Sequence, residues 1–220
     1  MTHIWTNKIN NSKCILFFNG WGMDENAISH LDYTGYDLCM FNNYSNIGKQ
    51  LPDLSGYKEI FLVAWSLGVW AASHIFMNSS IPFKKSIAIN GTMQPVHNNY
   101  GISENVFAGT LERWDNKNRD KFNMRMLGGR QNFSKFTNCL SLRHISDQKN
   151  ELMSIFKQVK RNNDLNFKWD IAILGKSDAI FPFGNQINAW ENKTNIIEKD
   201  MPHFPFITFS TWIEIIEAEA

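Results

Sequence analysis

The feature that most constrains the fold is a dense apolar run, residues 59–64, that leads directly into Ser66 and then into a helical pattern over residues 67–77. Its Ile, Phe, Leu and Val residues are typical of a parallel strand covered on both faces. In a strand–turn–helix of this kind the turn residue lies above the carboxyl edge of the sheet. The segment therefore predicts an α/β architecture with a serine hydroxyl at the end of a central strand.

The rest of the chain repeats the alternation of short apolar runs with helical patterns. Strands are predicted over residues 14–18, 37–41, 86–90, 169–174 and 195–198, and further helices over 185–190 and 206–217. Strands joined by crossover helices give a mostly parallel central sheet with helices on both faces. Between about residues 100 and 165 strand-like runs are missing, and helical pieces are predicted over 104–114, 121–126 and 148–161. We interpret this stretch as a helical cap inserted into one domain that spans residues 1–220.

Composition excludes several classes of protein. The 220 residues are 43% hydrophobic and carry a formal net charge of +1, which favours neither nucleic-acid binding nor disorder. The longest apolar runs are too short to span a membrane, and the polar N-terminus lacks the apolar core of a signal peptide. The three cysteines, Cys14, Cys39 and Cys139, fit no zinc or disulfide pattern. We expect a cytoplasmic protein with no metal, no cofactor, no nucleic-acid partner and no membrane contact.

Ser66 is the candidate nucleophile. A nucleophile elbow has small residues two positions before and two positions after the serine, because strand and helix approach closely there. Ala64 and Gly68 occupy those positions, with alanine replacing the usual first glycine. A serine in this position can also be an ordinary helix N-cap, so the motif gains weight only from its partners.

His203 is the candidate general base. A serine needs a base to remove its proton, and in this architecture the chain order is serine, acid, histidine. His203 follows the last predicted strand, in a loop that we expect to open the final helix. The other histidines lie at the terminus, in early segments or in the predicted cap, where they fit this role less well.

The acid that orients the histidine has two candidates. Asp178 lies in the loop after the predicted strand 169–174, where it would fix the imidazole tautomer and stabilise the imidazolium. Asn90 ends the strand 86–90 and is also placed to reach His203. An amide carries no charge, so we favour Asp178.

An oxyanion hole needs two backbone N–H groups that point at the developing negative charge. The residue after the nucleophile, Leu67, would supply one. Trp21, between Gly20 and Gly22 in the loop after the first predicted strand, would supply the other. Glycines on both sides of Trp21 allow the backbone to turn its N–H inward.

With these motifs the chain resembles the α/β-hydrolase superfamily, and more narrowly the BioG-type pimeloyl-acyl carrier protein methyl ester esterases of biotin synthesis. The resemblance rests on the stretches 18–22, 64–70, 89–92 and 107–111 and on the region of Trp190. It implies a serine carboxylesterase that hydrolyses the methyl ester of pimeloyl-carrier protein. The residue pattern by itself predicts only a serine esterase or a related hydrolase. A thioesterase or short-chain esterase with the same triad stays open, as does a non-catalytic binding protein of this fold.

The predicted cap is rich in basic residues between positions 113 and 135. Acyl carrier proteins are strongly acidic, so the resemblance implies that this face steers the carrier and its phosphopantetheine arm. Arg113, Arg119 and Arg125 are the predicted partner-binding residues. The alternative is a solvated surface, because acidic residues are interspersed with the basic ones.

Overall fold

The computed structural model describes residues 1–48, 51–161 and 165–219. These residues contain a seven-stranded sheet whose strands are β1 (Thr2–Asn7), β2 (Lys13–Phe18), β3 (Asp37–Asn42), β4 (Glu59–Trp65), β5 (Phe83–Ile89), β6 (Ile171–Gly175) and β7 (Asn195–Lys199). Their order is β1-β3-β2-β4-β5-β6-β7. Only the edge pair β1–β3 is antiparallel among them, and every other neighbouring pair is parallel. The predicted mostly parallel sheet is confirmed.

Helices cover both faces of the sheet. They are α1 (Leu67–Phe76), α2 (Glu104–Glu112), α3 (Asn116–Met126), α4 (Arg130–Lys135), α5 (Ile145–Val159), α6 (Phe183–Trp190) and α7 (Trp212–Ile216). Leu16 of β2 packs in the core cluster that includes α1, α5 and α6, whereas Phe17 packs in the cluster that includes α7. Because successive strand residues face opposite layers, an apolar run without alternation is what burial on both faces requires.

Two terminal elements differ from the sequence-based expectation. The polar N-terminus forms the edge strand β1, whose half-exposed alternation gives a weak apolar signal. The predicted final helix 206–217 is divided into a 3₁₀ turn, Pro205–Ile207, and α7. The helix begins at Trp212 because the Thr211 side chain accepts a hydrogen bond from the backbone of Glu214, which makes Thr211 its N-cap. The loop of His203 therefore opens a 3₁₀ turn instead of a long helix.

Four helices, α2 to α5, lie between β5 and β6. Of these, α4 was not predicted, and two glycines with positive φ, Gly128 and Gly129, separate it from α3. Residues 162–164, which fall in the predicted insertion, lie outside the described residues. That the chain is a single domain with this insertion as its cap stays a prediction.

None of the helices among the described residues is long and apolar enough to cross a membrane. The three cysteines are free and buried, as expected for small apolar core residues. Burial raises the pKa of the Cys14 and Cys39 thiols to about 12, so neither has the thiolate character of a nucleophile.

Candidate active site

Ser66 occupies a sharp turn between β4 and α1. Its backbone has φ 60° and ψ −128°, a conformation that non-glycine residues rarely adopt. The Ser66 N–H is held by the carbonyl of Ile89 on the neighbouring strand at 3.0 Å. The strand, the turn and the helix N-terminus thus have the geometry of a nucleophile elbow.

The spacing of small residues around Ser66 has a direct steric cause. A Cβ atom at Gly68 would lie 2.3 Å from the carbonyl oxygen of Phe18, so only glycine allows α1 to pass this close to the end of β2. Ala64 is fully buried between Phe18 and Ala88 of the adjacent strands. The strand therefore accommodates a methyl group at the position where the usual motif has glycine.

Ser66, His203 and Asp178 form a continuous hydrogen-bonded chain. His203 Nε2 lies 2.9 Å from Ser66 Oγ, and His203 Nδ1 lies 2.8 Å from Asp178 Oδ2. The three residues are 6%, 1% and 8% exposed, respectively. They come from the loops after β4, β7 and β6, which meet at the carboxyl edge of the parallel sheet. The sequence-predicted nucleophile, base and acid are therefore adjacent in space.

The Asp178 carboxylate is held by three donors besides the histidine. Its Oδ1 accepts from the backbone N–H groups of Ile180 and Phe181, each at 2.8 Å, and Oδ2 accepts from Gln186 Nε2 at 3.1 Å. The ring of Phe181 stacks on the imidazole of His203 with an interplanar angle of 8°. Gln186 was not predicted, because a glutamine on the buried face of α6 has no recognisable sequence signal.

Asn90, the alternative candidate for orienting the histidine, contacts backbone groups and not the imidazole ring. Its Nδ2 donates to the backbone carbonyls of Pro202 and His203, and its Oδ1 accepts from the N–H of Gly175 at 2.7 Å. Trp65 Nε1 also donates to the His203 carbonyl, at 2.8 Å. Asn90 thus holds the backbone of the histidine loop, whereas Asp178 contacts the ring.

Two backbone amides are free at the site. Within the part of the chain that the structure describes, the N–H groups of Trp21 and Leu67 have no hydrogen-bond partner. Both residues line the same pocket as Ser66 and His203. Two unpaired donors beside a serine hydroxyl provide what an oxyanion hole requires.

The pocket over Ser66 is lined mainly by apolar side chains, among them Trp65, Ile102, Phe107, Met126, Leu152 and Ile180. Val106, Thr110, Phe122 and Arg125 line both this pocket and an outer groove between α2 and α3. The pocket over Ser66 and the outer groove are therefore adjacent and share part of a mostly apolar wall.

Only two of the three predicted partner-binding arginines line this groove. Arg113 and Arg125 line it together with Lys121, and all three are exposed. Arg119 does not line it. Its side chain is half-buried and donates to the carbonyl oxygen of Arg143 at 3.4 Å.

No group of three or more histidine, cysteine or acidic residues that could hold a metal ion occurs among the described residues.

Comparisons with known proteins identify the family of this chain. The chain matches the family described as "Pimeloyl-ACP methyl esterase BioG" over residues 2–215. It is similar to the crystal structure of BioG from Haemophilus influenzae, with a TM-score of 0.92 and 29% identity over 99% of this chain and 100% of that chain. An esterase from Exiguobacterium antarcticum has a TM-score of 0.66 and 15% identity over 94% and 89% of the two chains, a likeness of fold alone.

Two curated sequences are also similar. One is a malonyl-[acyl-carrier protein] O-methyltransferase of Bacteroides fragilis, 39% identical over 87% of this chain. The chain spans only 39% of the length of that protein. The other is an uncharacterized protein of Haemophilus influenzae, 32% identical over 90% of this chain and 91% of its own length. The chain therefore belongs to the BioG family, a family of esterases with the α/β-hydrolase fold.

Proposed function

We propose that the protein is a serine carboxylesterase in which Ser66, His203 and Asp178 act as nucleophile, general base and orienting acid. The hydrogen-bonded chain that joins these three side chains carries the proposal. Ser66 Oγ attacks the ester carbonyl carbon while His203 Nε2 takes the hydroxyl proton. The N–H groups of Trp21 and Leu67 bind the oxyanion of the tetrahedral intermediate.

The intermediate then collapses, and the alkoxide leaves as an alcohol after taking the proton from His203. The acyl group remains on Ser66 Oγ as an ester. Water attacks this acyl-enzyme, gives its proton to His203 and releases the acid, and the proton returns to Ser66. Asp178 remains a carboxylate throughout and stabilises the imidazolium that forms twice in each cycle.

We infer that the substrate is the methyl ester of pimeloyl-acyl carrier protein and that the products are methanol and pimeloyl-carrier protein in biotin synthesis. The family description supports this choice. The apolar lining of the pocket suits a chain of methylene groups with an uncharged ester at its end. One relative bears the name of a malonyl-carrier protein methyltransferase. Methyl transfer to such an acid yields the class of ester that this enzyme would remove.

The outer groove suggests how a carrier-bound ester reaches the serine. Arg113, Lys121 and Arg125 line the groove and are exposed. They would attract an acidic carrier protein and the phosphate of its phosphopantetheine arm. The thin, uncharged part of the arm would then extend between α2 and α3, along the apolar wall that the groove shares with the pocket over Ser66. Arg119, outside the groove, would contact the carrier body.

The substrate proposal predicts a strong preference for the carrier-bound ester. The value of kcat/KM for methyl pimeloyl-carrier protein should exceed that for free dimethyl pimelate by about 100-fold, because several interface contacts of up to about 1 kcal/mol each add to binding. Methanol release measures both reactions, and a pimeloyl thioester without the methyl group controls for thioesterase activity. Equal kcat/KM values for the two methyl esters would show that the enzyme does not recognise the carrier protein. Faster cleavage of the thioester would favour the thioesterase alternative.

The docking proposal predicts a selective effect of charge reversal. Arg113→Glu with Lys121→Glu, two exposed residues that line the outer groove and not the pocket over Ser66, should lower kcat/KM for the carrier-bound ester by about 10-fold or more at low salt, and high salt should reduce the difference. Turnover of p-nitrophenyl acetate should change little, because it needs only the triad and the two amides.

The matched control is Lys58→Glu with Lys84→Glu, two exposed lysines at the opposite end of the sheet. It makes the same change in net charge far from the groove. If the control pair lowers carrier turnover equally, the effect is one of net charge and the groove is not the docking surface. Arg119→Glu, measured separately, tests whether contact extends beyond the groove.

A further inference from the structure

Helix α5 contacts the loop that carries the Trp21 amide at three points. We propose that Gln148 and Glu151 are positioning residues that hold this amide in place for oxyanion binding. The proposal rests on the function proposed above, because it takes Trp21 N–H as half of the oxyanion hole. It adds two residues, more than a hundred positions away in sequence, that make no hydrogen bond to the triad among the described residues.

Gln148 contacts the loop on both sides of the Trp21–Gly22 peptide. Its backbone carbonyl accepts from Trp21 Nε1 at 2.8 Å, and its side-chain Nε2 donates to the carbonyl of Gly22 at 2.8 Å. Gln148 is only 3% exposed. The indole and the following carbonyl are therefore both tied to one turn of α5, which restricts rotation of the intervening backbone.

Glu151, one turn further along α5, supports the same loop from its N–H side. Its Oε2 accepts from the backbone N–H of Gly22 at 3.3 Å, and its Oε1 accepts from the backbone N–H of Tyr44 at 2.8 Å. The Tyr44 hydroxyl in turn donates to the carbonyl of Asn19 at 2.7 Å. The carboxylate thus joins the loop after β2 to the loop after β3.

The charge of Glu151 is expensive to bury. The residue is 0% exposed, and burial raises the pKa of its carboxyl above the ordinary value although Arg143 lies 2.7 Å away. A buried ion pair of this kind often adds nothing to stability compared with apolar packing. Stability of the fold therefore does not explain why a carboxylate is buried here. Its hydrogen bonds with the N–H groups of Gly22 and Tyr44 support a role in positioning the two loops.

Precise placement matters because an oxyanion-hole amide contributes only when it points at the charge that forms in the transition state. Gly22 has φ +72°, in the region where glycine moves freely. A loop with glycines on both sides of Trp21 would therefore vary in the direction of its N–H groups. The contacts from α5 restrict that freedom without filling the pocket.

The informative variant is Gln148→Met. It removes the donor to Gly22 but keeps the backbone contact with the Trp21 indole. Within the described residues Gln148 Oε1 has no hydrogen-bond partner, so loss of this buried acceptor offsets part of the cost of leaving the Gly22 carbonyl without its donor. Glu151→Gln is the second variant. Asp147→Asn is the control, because Asp147 pairs with the same Arg143 and, among the described residues, makes no hydrogen bond or ion pair to the loop.

We expect Gln148→Met and Glu151→Gln to lower kcat for p-nitrophenyl acetate by roughly 10- to 100-fold with KM nearly unchanged, since loss of a whole oxyanion donor costs about 10²–10³. Activity is expressed per site labelled by a fluorophosphonate, which removes the contribution of unfolded protein. An alkyl trifluoromethyl ketone, whose adduct carries an oxyanion, should bind more weakly by the factor that kcat/KM falls. Asp147→Asn should behave as wild type.

Three results would overturn the proposal. Unchanged kcat per labelled site in Gln148→Met and Glu151→Gln would mean that the α5 contacts are structural only. Loss of kcat without weaker ketone binding would place the defect outside the oxyanion hole. Full turnover in Ser66→Ala would refute the proposed mechanism and, with it, this inference. If Ser66→Ala is inactive and the α5 variants keep the wild-type kcat, only the positioning role is wrong.

Discussion

Replacing Ser66 with alanine should abolish labelling by a fluorophosphonate and lower kcat by a factor on the order of 10⁴–10⁶. The hydroxyl is the atom that would form the acyl-enzyme, and it lies 2.9 Å from the proposed base. Without it, His203 can only activate water directly, in a geometry that the site does not provide. Mass spectrometry of the labelled protein and initial rates on p-nitrophenyl acetate measure the two effects.

Ser80→Ala serves as the control, because Ser80 is an exposed serine beyond the end of α1, far from the pocket. It should retain full labelling and full turnover. Retention of more than a tenth of the activity in Ser66→Ala would show that the elbow carries no nucleophile. Catalysis would then need another nucleophile, whereas the absence of labelling and turnover in the wild type itself would favour the non-catalytic binding protein.

The parallel sheet could be predicted because its physical cause is visible in the sequence. Strands buried on both faces must be apolar at every position, so residues 59–64 and 14–18 differ from the amphipathic helices around them. Parallel strands place all their following loops at one edge, and chain order therefore indicated that Ser66, Asp178 and His203 belong together. Their adjacency follows from topology and needs no knowledge of side-chain conformations.

Other features of the site could not be predicted, because their partners are distant and carry no local pattern. Asn90 looked equivalent to Asp178 when only its strand end was considered. Its contacts with the His203 backbone depend on how two loops pack. Gln148 and Glu151 lie on α5 with the spacing of an ordinary amphipathic helix, and only the fold brings them to Gly22. The strand β1 escaped prediction because an edge strand needs only partial burial.

Asp178, the proposed orienting acid, gives the second large expected effect. Asp178→Asn should lower kcat by about 10³–10⁴ with little loss of stability, because the side chain keeps its shape and its Oδ1 contacts with Ile180 and Phe181. An amide nitrogen in place of Oδ2 would donate towards His203 Nδ1. The imidazole would then carry its proton on Nε2, the atom that faces Ser66, and could no longer accept the serine proton.

Asn90→Ala is the variant that separates orientation of the ring from support of the loop. It removes contacts with the backbone at residues 175, 202 and 203, so its main effect should be a lower melting temperature, with each lost buried hydrogen bond costing about 1–3 kcal/mol. Its kcat per labelled site should fall far less than that of Asp178→Asn. Thermal unfolding and kcat, measured on both variants, give the comparison. A greater loss of kcat per labelled site in Asn90→Ala would exchange the two roles, since the residue that fixes the tautomer must be the one whose removal most impairs proton transfer.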